Sequence, residues 1–210
     1  MTVNNKPATG EVIELGCASF TLPGQTESGD MYVVKQFDDG MLVGVVDGLG
    51  HGGEAAAAAK AAVYVLEKYA HESVISLLRR SHEALKTTRG VVMSIASFNT
   101  MENTMTWLSV GNVEGVLLRA DRTTVPNREI ILLRGGVVGY QLPQPFAVMH
   151  SVAKGDTLIF ATDGIRSGFY DMLPLPDAPQ RAADKICMQL SKKNDDALVL
   201  VVKYLGKKLP

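Results

Sequence analysis

Apolar and polar positions alternate at short range in the first fifth of the chain. Residues 11–20, 30–37 and 41–46 read as strands, and Asp38-Asp39-Gly40 is a tight turn signal that makes the second and third a hairpin. The period then lengthens. Residues 53–70 read as a helix whose Ala55–Ala59 run offers a smooth face for close packing on a sheet. Residues 72–88 read as a second helix, with Val74, Leu77, Leu78, Ser81 and Leu85 on one stripe and His82 beside it as a packing histidine. From Gly90 onward short apolar runs return, over 91–98, 104–110, 113–120, 128–134, 146–152 and 156–161, with Gly, Asn, Asp or Pro between most of them. The proline-rich stretch Leu173–Pro179 reads as a loop, 178–192 as a last helix and 197–204 as a last apolar strand.

Strands, two helices, many strands, a helix and a strand make an α+β order, with helices packed on antiparallel sheet. A length of 210 residues suits one domain, expected over 11–205 after a flexible N-terminus at 1–10. Apolar residues make up 46% and charged residues 20%, ordinary for a globular protein. A net charge of −1 gives no electrostatic case for nucleic acid or an anionic membrane. Cys17 and Cys187 are isolated and suggest neither a disulfide framework nor a zinc site. Residues 1–10 lack a signal-peptide apolar core, and no apolar run reaches membrane-spanning length. A cytoplasmic monomer is therefore expected.

The segment 43–53, Val-Gly-Val-Val-Asp-Gly-Leu-Gly-His-Gly-Gly, supports two incompatible chemistries. Gly48, Gly50 and Gly53 satisfy the G-x-G-x-x-G dinucleotide fingerprint, with Glu67 further along for a ribose. Alternatively, Asp47 is a metal ligand at a strand end and the glycines admit close backbone approach. Other acids decide between them. Asp163 follows an apolar run, Asp195-Asp196 precede one, and Asp30 opens one. An acid against a buried strand is costly unless solvated, paired or bound to a cation. These segments offer few cationic side chains, so the acids point to one oxygen-rich site for Mg²⁺ or Mn²⁺. The dinucleotide reading explains neither Asp163 and Asp195 nor the antiparallel pattern.

These residues carry a resemblance. Ser28-Gly29-Asp30, Asp47-Gly48-Leu49-Gly50-His51-Gly52, Val110-Gly111-Asn112, Gly135-Gly136-Val-Val-Gly139, Thr162-Asp163-Gly164-Ile165 and Asn194-Asp195-Asp196 fall in the motif order of one family. The chain resembles the metal-dependent (PPM, type 2C) protein serine/threonine phosphatases, in their bacterial, SpoIIE-like branch. The resemblance implies a four-layer αββα sandwich, two antiparallel β-sheets flanked by helices, with a centre for two divalent cations, Mn²⁺ or Mg²⁺. It implies that Asp47 bridges the cations, that Gly48 offers its carbonyl to one, and that Asp163 and Asp195 hold the other. Asp30 would act through water or at an additional metal, and Asp196 would be a neighbour rather than a ligand. A water activated between the metals would attack phosphorus without a covalent intermediate.

Sensor domains usually precede this module in the branch, whereas only residues 1–10 precede the first strand here. That feature resembles the stressosome feedback phosphatases and implies phosphoserine or phosphothreonine on STAS-domain scaffold proteins as substrate. A phosphatase of another partner-switching pathway and a weakly catalytic binding module of the same fold stand as alternatives. Many relatives place a histidine directly after the central Asp-Gly; this chain has Leu49. His51 then caps or orients the helix, or acts as general acid, and Arg166 is an exposed arginine or a phosphate contact.

Overall fold

Asp38 and Asp39 turn the chain so tightly that Phe37 and Gly40 are already paired across the hairpin. The hairpin belongs to one of two antiparallel five-stranded sheets in the computed structural model, which describes residues 12–172 and 178–206. The strands are β1 (Ile13–Phe20), β2 (Asp30–Phe37), β3 (Gly40–Gly48), β4 (Val91–Asn99), β5 (Thr104–Val110), β6 (Glu114–Leu118), β7 (Arg128–Ile130), β8 (Ala147–Ser151), β9 (Thr157–Ala161) and β10 (Ala197–Tyr204). One sheet has the order β2-β3-β4-β5-β8 and the other β1-β10-β9-β6-β7. The helices are α1 (Gly53–Lys68), α2 (Val74–Ala84) and α3 (Pro179–Leu190).

Side-chain parity along the strands sorts the apolar residues into three layers. Met41, Val43 and Val45 of β3, with Leu198, Leu200 and Val202 of β10, point between the sheets. Leu42 and Val46 point the other way, onto α1 and α2, where Leu66, Leu77, Leu78 and Leu85 meet them. Val199 and Val201 point onto α3, against Ala183 and Ile186. The central strands β3 and β10 are buried on both faces, which is why they read as continuous apolar runs rather than alternating ones. Trp107 sits in the inter-sheet core, edge-on to Phe160 at 5.8 Å, with its indole N–H donating to Ser94 Oγ at 3.0 Å. The helices thus cover both outer faces, and the αββα sandwich is the architecture. The βαβ crossover that a dinucleotide fold requires does not occur among the described residues.

Most boundaries follow the sequence pattern, and two differences matter. β3 continues beyond Val46 to take in Asp47 and Gly48, because β4 pairs there, Asp47 opposite Val92 and Gly48 opposite Val91. The run 128–134 is strand only over 128–130, after which irregular chain leads from one sheet edge to the other. The N-terminal segment 1–10 and residues 173–177 of the proline-rich stretch lie outside the described residues, while Pro179 is the first residue of α3. No described helix is long and apolar enough to cross a membrane.

The start of α3 lies directly on β1. A Cβ at Gly16 would fall 2.2 Å from the backbone of Pro179 and Gln180, so only glycine admits this contact. Gln180 then bonds both backbone groups of Cys17 on this edge strand, accepting at 3.1 Å and donating at 2.8 Å. Gly16→Ala is expected to destabilise the fold by about 1–3 kcal/mol, the usual cost of overpacking. Urea denaturation measures it, and an unchanged midpoint would contradict the packing.

Candidate metal centre

The inter-sheet parity of Val43 and Val45 carries on to Asp47, and β2 brings Asp30 to the position directly opposite. Like charges facing across antiparallel strands repel. From the other sheet, the turn after β9 supplies Thr162 and Asp163, and the turn before β10 supplies Asp195 and Asp196. These two turns touch through backbone: a Cβ at Gly164 would fall 1.9 Å from the Asp196 carbonyl oxygen. Gly48 is equally closed in, with the Ala55 carbonyl oxygen 2.1 Å from where its Cβ would stand. Glycine at 48 lets the first turn of α1 press onto the end of β3. Asp47, Asp163 and Asp195 then line one cleft of about 570 Å³, with Leu49, Gly50, Asn112 and residues 135–137 among its walls.

Four of the acids around this cleft are held by neutral donors. Thr162 Oγ1 donates to Asp30 Oδ2 at 2.7 Å and accepts from Leu198 N at 2.8 Å. Asp196, which is 4% exposed, accepts from Leu22 N at 2.8 Å and Gly29 N at 2.7 Å. Asn112 Nδ2 donates to Asp163 Oδ2 at 2.8 Å. Asp195 Oδ1 receives its neighbour's amide, Asp196 N, at 2.9 Å. Asp47 receives no hydrogen bond from the described residues.

Burial, then the charges of Asp30, Asp163, Asp195 and Asp196, push the Asp47 carboxyl up to about 8. Burial first, and then Asp196, Asp163 and Asp195, push Asp30 up to about 7, against the Thr162 hydrogen bond that lowers it. Among the described residues no lysine, arginine or histidine forms an ion pair with any of these five acids. Lys192 Nζ donates to the main-chain carbonyl of Asp163, at 2.6 Å, instead of to its carboxylate. The contrast is Asp156, another buried acid, which has Arg119 at 2.9 Å and two backbone amides.

Oxygen-only donors, crowded and without organic counter-charge, fit a hard divalent cation. Among the described residues no three side chains already close on one point as a cage. Asp163 Oδ1 and Asp195 Oδ2 are without protein donors among the described residues, so rotation of these side chains toward Asp47 keeps oxygens available for coordination.

The structure brings Asp30, Asp47, Gly48, Asp163 and Asp195 to one place and leaves two candidates outside it. His51 is exposed and does not line the cleft, and the α1 N-cap is Gly52, without a side-chain cap bond, so His51 does not cap the helix. Arg166 is exposed and likewise absent from the cleft walls; its backbone N–H donates to Leu190 O at 2.9 Å. Sequence reasoning gave no role to Thr162 or Asn112, although both stand inside motifs it used.

The family model for stage II sporulation protein E (SpoIIE) matches residues 38–205. The phosphoserine phosphatase RsbX of Bacillus subtilis (strain 168) is 36% identical over 94 residues. That match covers 45% of this chain and 47% of the relative, so just under half the length of the relative is spanned. A structure from work on the bacterial stressosome as a modular system adapted to control secondary messenger signalling is similar at a TM-score of 0.83 and 26% identity. That similarity covers 92% of this chain and 100% of the other. RsbX in complex with magnesium is similar at a TM-score of 0.82 and 23% identity, over 95% and 98% of the two chains.

A carboxyl raised from 3.8 to about 8 costs the metal-free fold nothing at low pH and increasingly more as pH rises toward 8. In chelator, Asp47→Asn is therefore expected to melt above wild type at pH 8, with the difference closing toward pH 4. Each kcal/mol of relieved repulsion corresponds to about 2–4 °C for a chain of this size. Thermal melts across pH measure it, and a variant no more stable than wild type at pH 8 would contradict the repulsion.

Proposed function

The chain belongs to the SpoIIE family, which matches it over residues 38–205, and on that premise we propose that it is a metal-dependent protein serine/threonine phosphatase. The observation that carries the reading is Asp47: half-buried, opposite Asp30, beside Asp163 and Asp195, with neither a hydrogen-bond donor nor a cationic partner among the described residues. Asp47, the Gly48 carbonyl, Asp163 and Asp195 would hold two divalent cations. Mg²⁺ or Mn²⁺ there supplies Lewis-acid charge to the phosphoryl oxygens and acidifies the attacking water.

The chain's own groups set the rest. Asn112 orients Asp163 through the bond to Oδ2, and Thr162 holds Asp30 against Asp47. Outer groups of this kind fix the orientation of ligands and tune their basicity. Strand ends and the turns beside them position the acids before substrate arrives, so catalysis rests on positioning and on charge already in place. No protein nucleophile is needed. Burial pushes the Cys17 thiol up to about 11 and raises that of Cys187, and neither lines the cleft.

For substrate, the reading is phosphoserine or phosphothreonine on STAS-domain proteins of the stressosome, with a resetting role in general stress signalling. Its support is the similarity to RsbX, a phosphoserine phosphatase, and to a structure from stressosome work. The enzyme would act as a cytoplasmic monomer. With Mn²⁺ the protein is expected to hydrolyse p-nitrophenyl phosphate and to stop in chelator. Asp47→Asn and Asp163→Asn should each lower the rate by about 100-fold or more, the scale of losing one transition-state stabiliser, with the circular dichroism unchanged. Wild-type rates in either variant would remove the metal-centre reading.

A further inference from the structure

Arg89 does not itself line the cleft, but its guanidinium lies against a residue that does, and the backbone on both sides of it is fixed. Thr88 Oγ1 donates to Leu85 O at 2.8 Å and accepts from Gly90 N at 3.0 Å. The Gly90 carbonyl in turn accepts from Leu49 N, a cleft-lining residue, at 3.1 Å. A Cβ at Gly90 would fall 2.6 Å from Val137 Cγ1, so this turn also packs against a second cleft-lining residue.

The Arg89 guanidinium lies on the backbone of Gly50. A Cβ there would stand 2.8 Å from Arg89 Nη1, and Gly50 has φ +86°, so glycine serves both the turn and the arginine. Gly50 itself lines the cleft beside Asp47. The other arm of the fork pairs through Nη2 with Glu54, in the first turn of α1. That pair has side chains 51% and 71% exposed, so water screens it and it contributes little to stability. A guanidinium held beside a cleft-lining glycine by a weak, exchangeable partner is suited to a dianionic phosphate, which it binds through two parallel N–H donors.

We propose that Arg89 binds the phosphoryl group of the substrate, exchanging Glu54 for non-bridging phosphate oxygens. The proposal rests on the phosphatase reading and adds to it a substrate-binding residue outside the acids. No bond is made or broken by Arg89. It contributes affinity and orients the phosphate over the carboxylates, and Glu54 parks the guanidinium between turnovers.

The test is steady-state kinetics of Arg89→Ala, Arg89→Lys and Glu54→Gln on p-nitrophenyl phosphate and on a phosphoserine peptide. Loss of charged hydrogen bonds to phosphate is expected to raise KM by about 10- to 100-fold in Arg89→Ala. Arg89→Lys should recover part of this, and Glu54→Gln should leave KM at or below the wild-type value. A KM within twofold of wild type in Arg89→Ala overturns the proposal, even if the melting temperature falls, as does a raised KM in Glu54→Gln. Calorimetric titration of inorganic phosphate into the Mg²⁺-loaded protein separates this from the parent reading. If the wild type hydrolyses neither substrate, the phosphatase reading falls while the titration still decides Arg89. Weaker phosphate binding in Arg89→Ala upholds the proposal; equal binding, or none in the wild type, overturns it.

Discussion

Asp30 and Asp47 face each other across a hydrogen-bonded strand pair, and Asp163, Asp195 and Asp196 act on both from the other sheet. Their mutual repulsion is the constraint around which the end of the sandwich is arranged. Elsewhere a buried acid is compensated in the ordinary way, as Asp156 is by Arg119. Here the charge is divided among neutral donors, and Asp47 has none among the described residues. A cluster of this kind is destabilising in itself. It persists because the apolar layers on both sides of each sheet hold the strands in register, and because a bound cation would turn the repulsion into coordination.

Two cross-links show how the sheets carry that load. Thr162 accepts from Leu198 and donates to Asp30, tying the β9–β10 side to β2. Asp196 gathers the amides of Leu22 and Gly29, which fixes the loop between β1 and β2 to the start of β10. Both links leave Asp47, and one oxygen each of Asp163 and Asp195, without a protein donor among the described residues. Glycine at 48 and 164 brings helix and turn backbone into contact at the same end, leaving the carboxylates to project into the cleft.

Much of this was legible in the chain. The hairpin at 38–40, the stripe on α2 and the strands β5 and β10 announce themselves because turn residues or clean periodicity bound them. The acids were legible because carboxylates at the ends of apolar strands need an explanation. The limits of β3 and β7 were not, since each depends on whether a neighbouring strand continues beside it. His51 looked functional by its place in a motif, yet the Gly50–Gly53 turn directs it to solvent. Arg89 could not be found from sequence at all: its position comes from the Leu49–Gly90 and Gly90–Val137 contacts, which join residues about 40 to 50 positions apart.

Membership of the SpoIIE family and the geometry of the cleft both support one proposal: that the acid cluster holds divalent cations. Proton release on metal binding tests it most directly. Carboxyls raised to about 7 and about 8 carry protons near neutral pH that a cation must displace. Calorimetric titration of Mg²⁺ or Mn²⁺ at pH 6.5, in buffers of different ionisation enthalpy, should therefore show protons released on binding. The release should shrink above pH 9 and be reduced in Asp47→Asn. Metal binding without proton release, or binding unaltered in Asp47→Asn, would contradict the account.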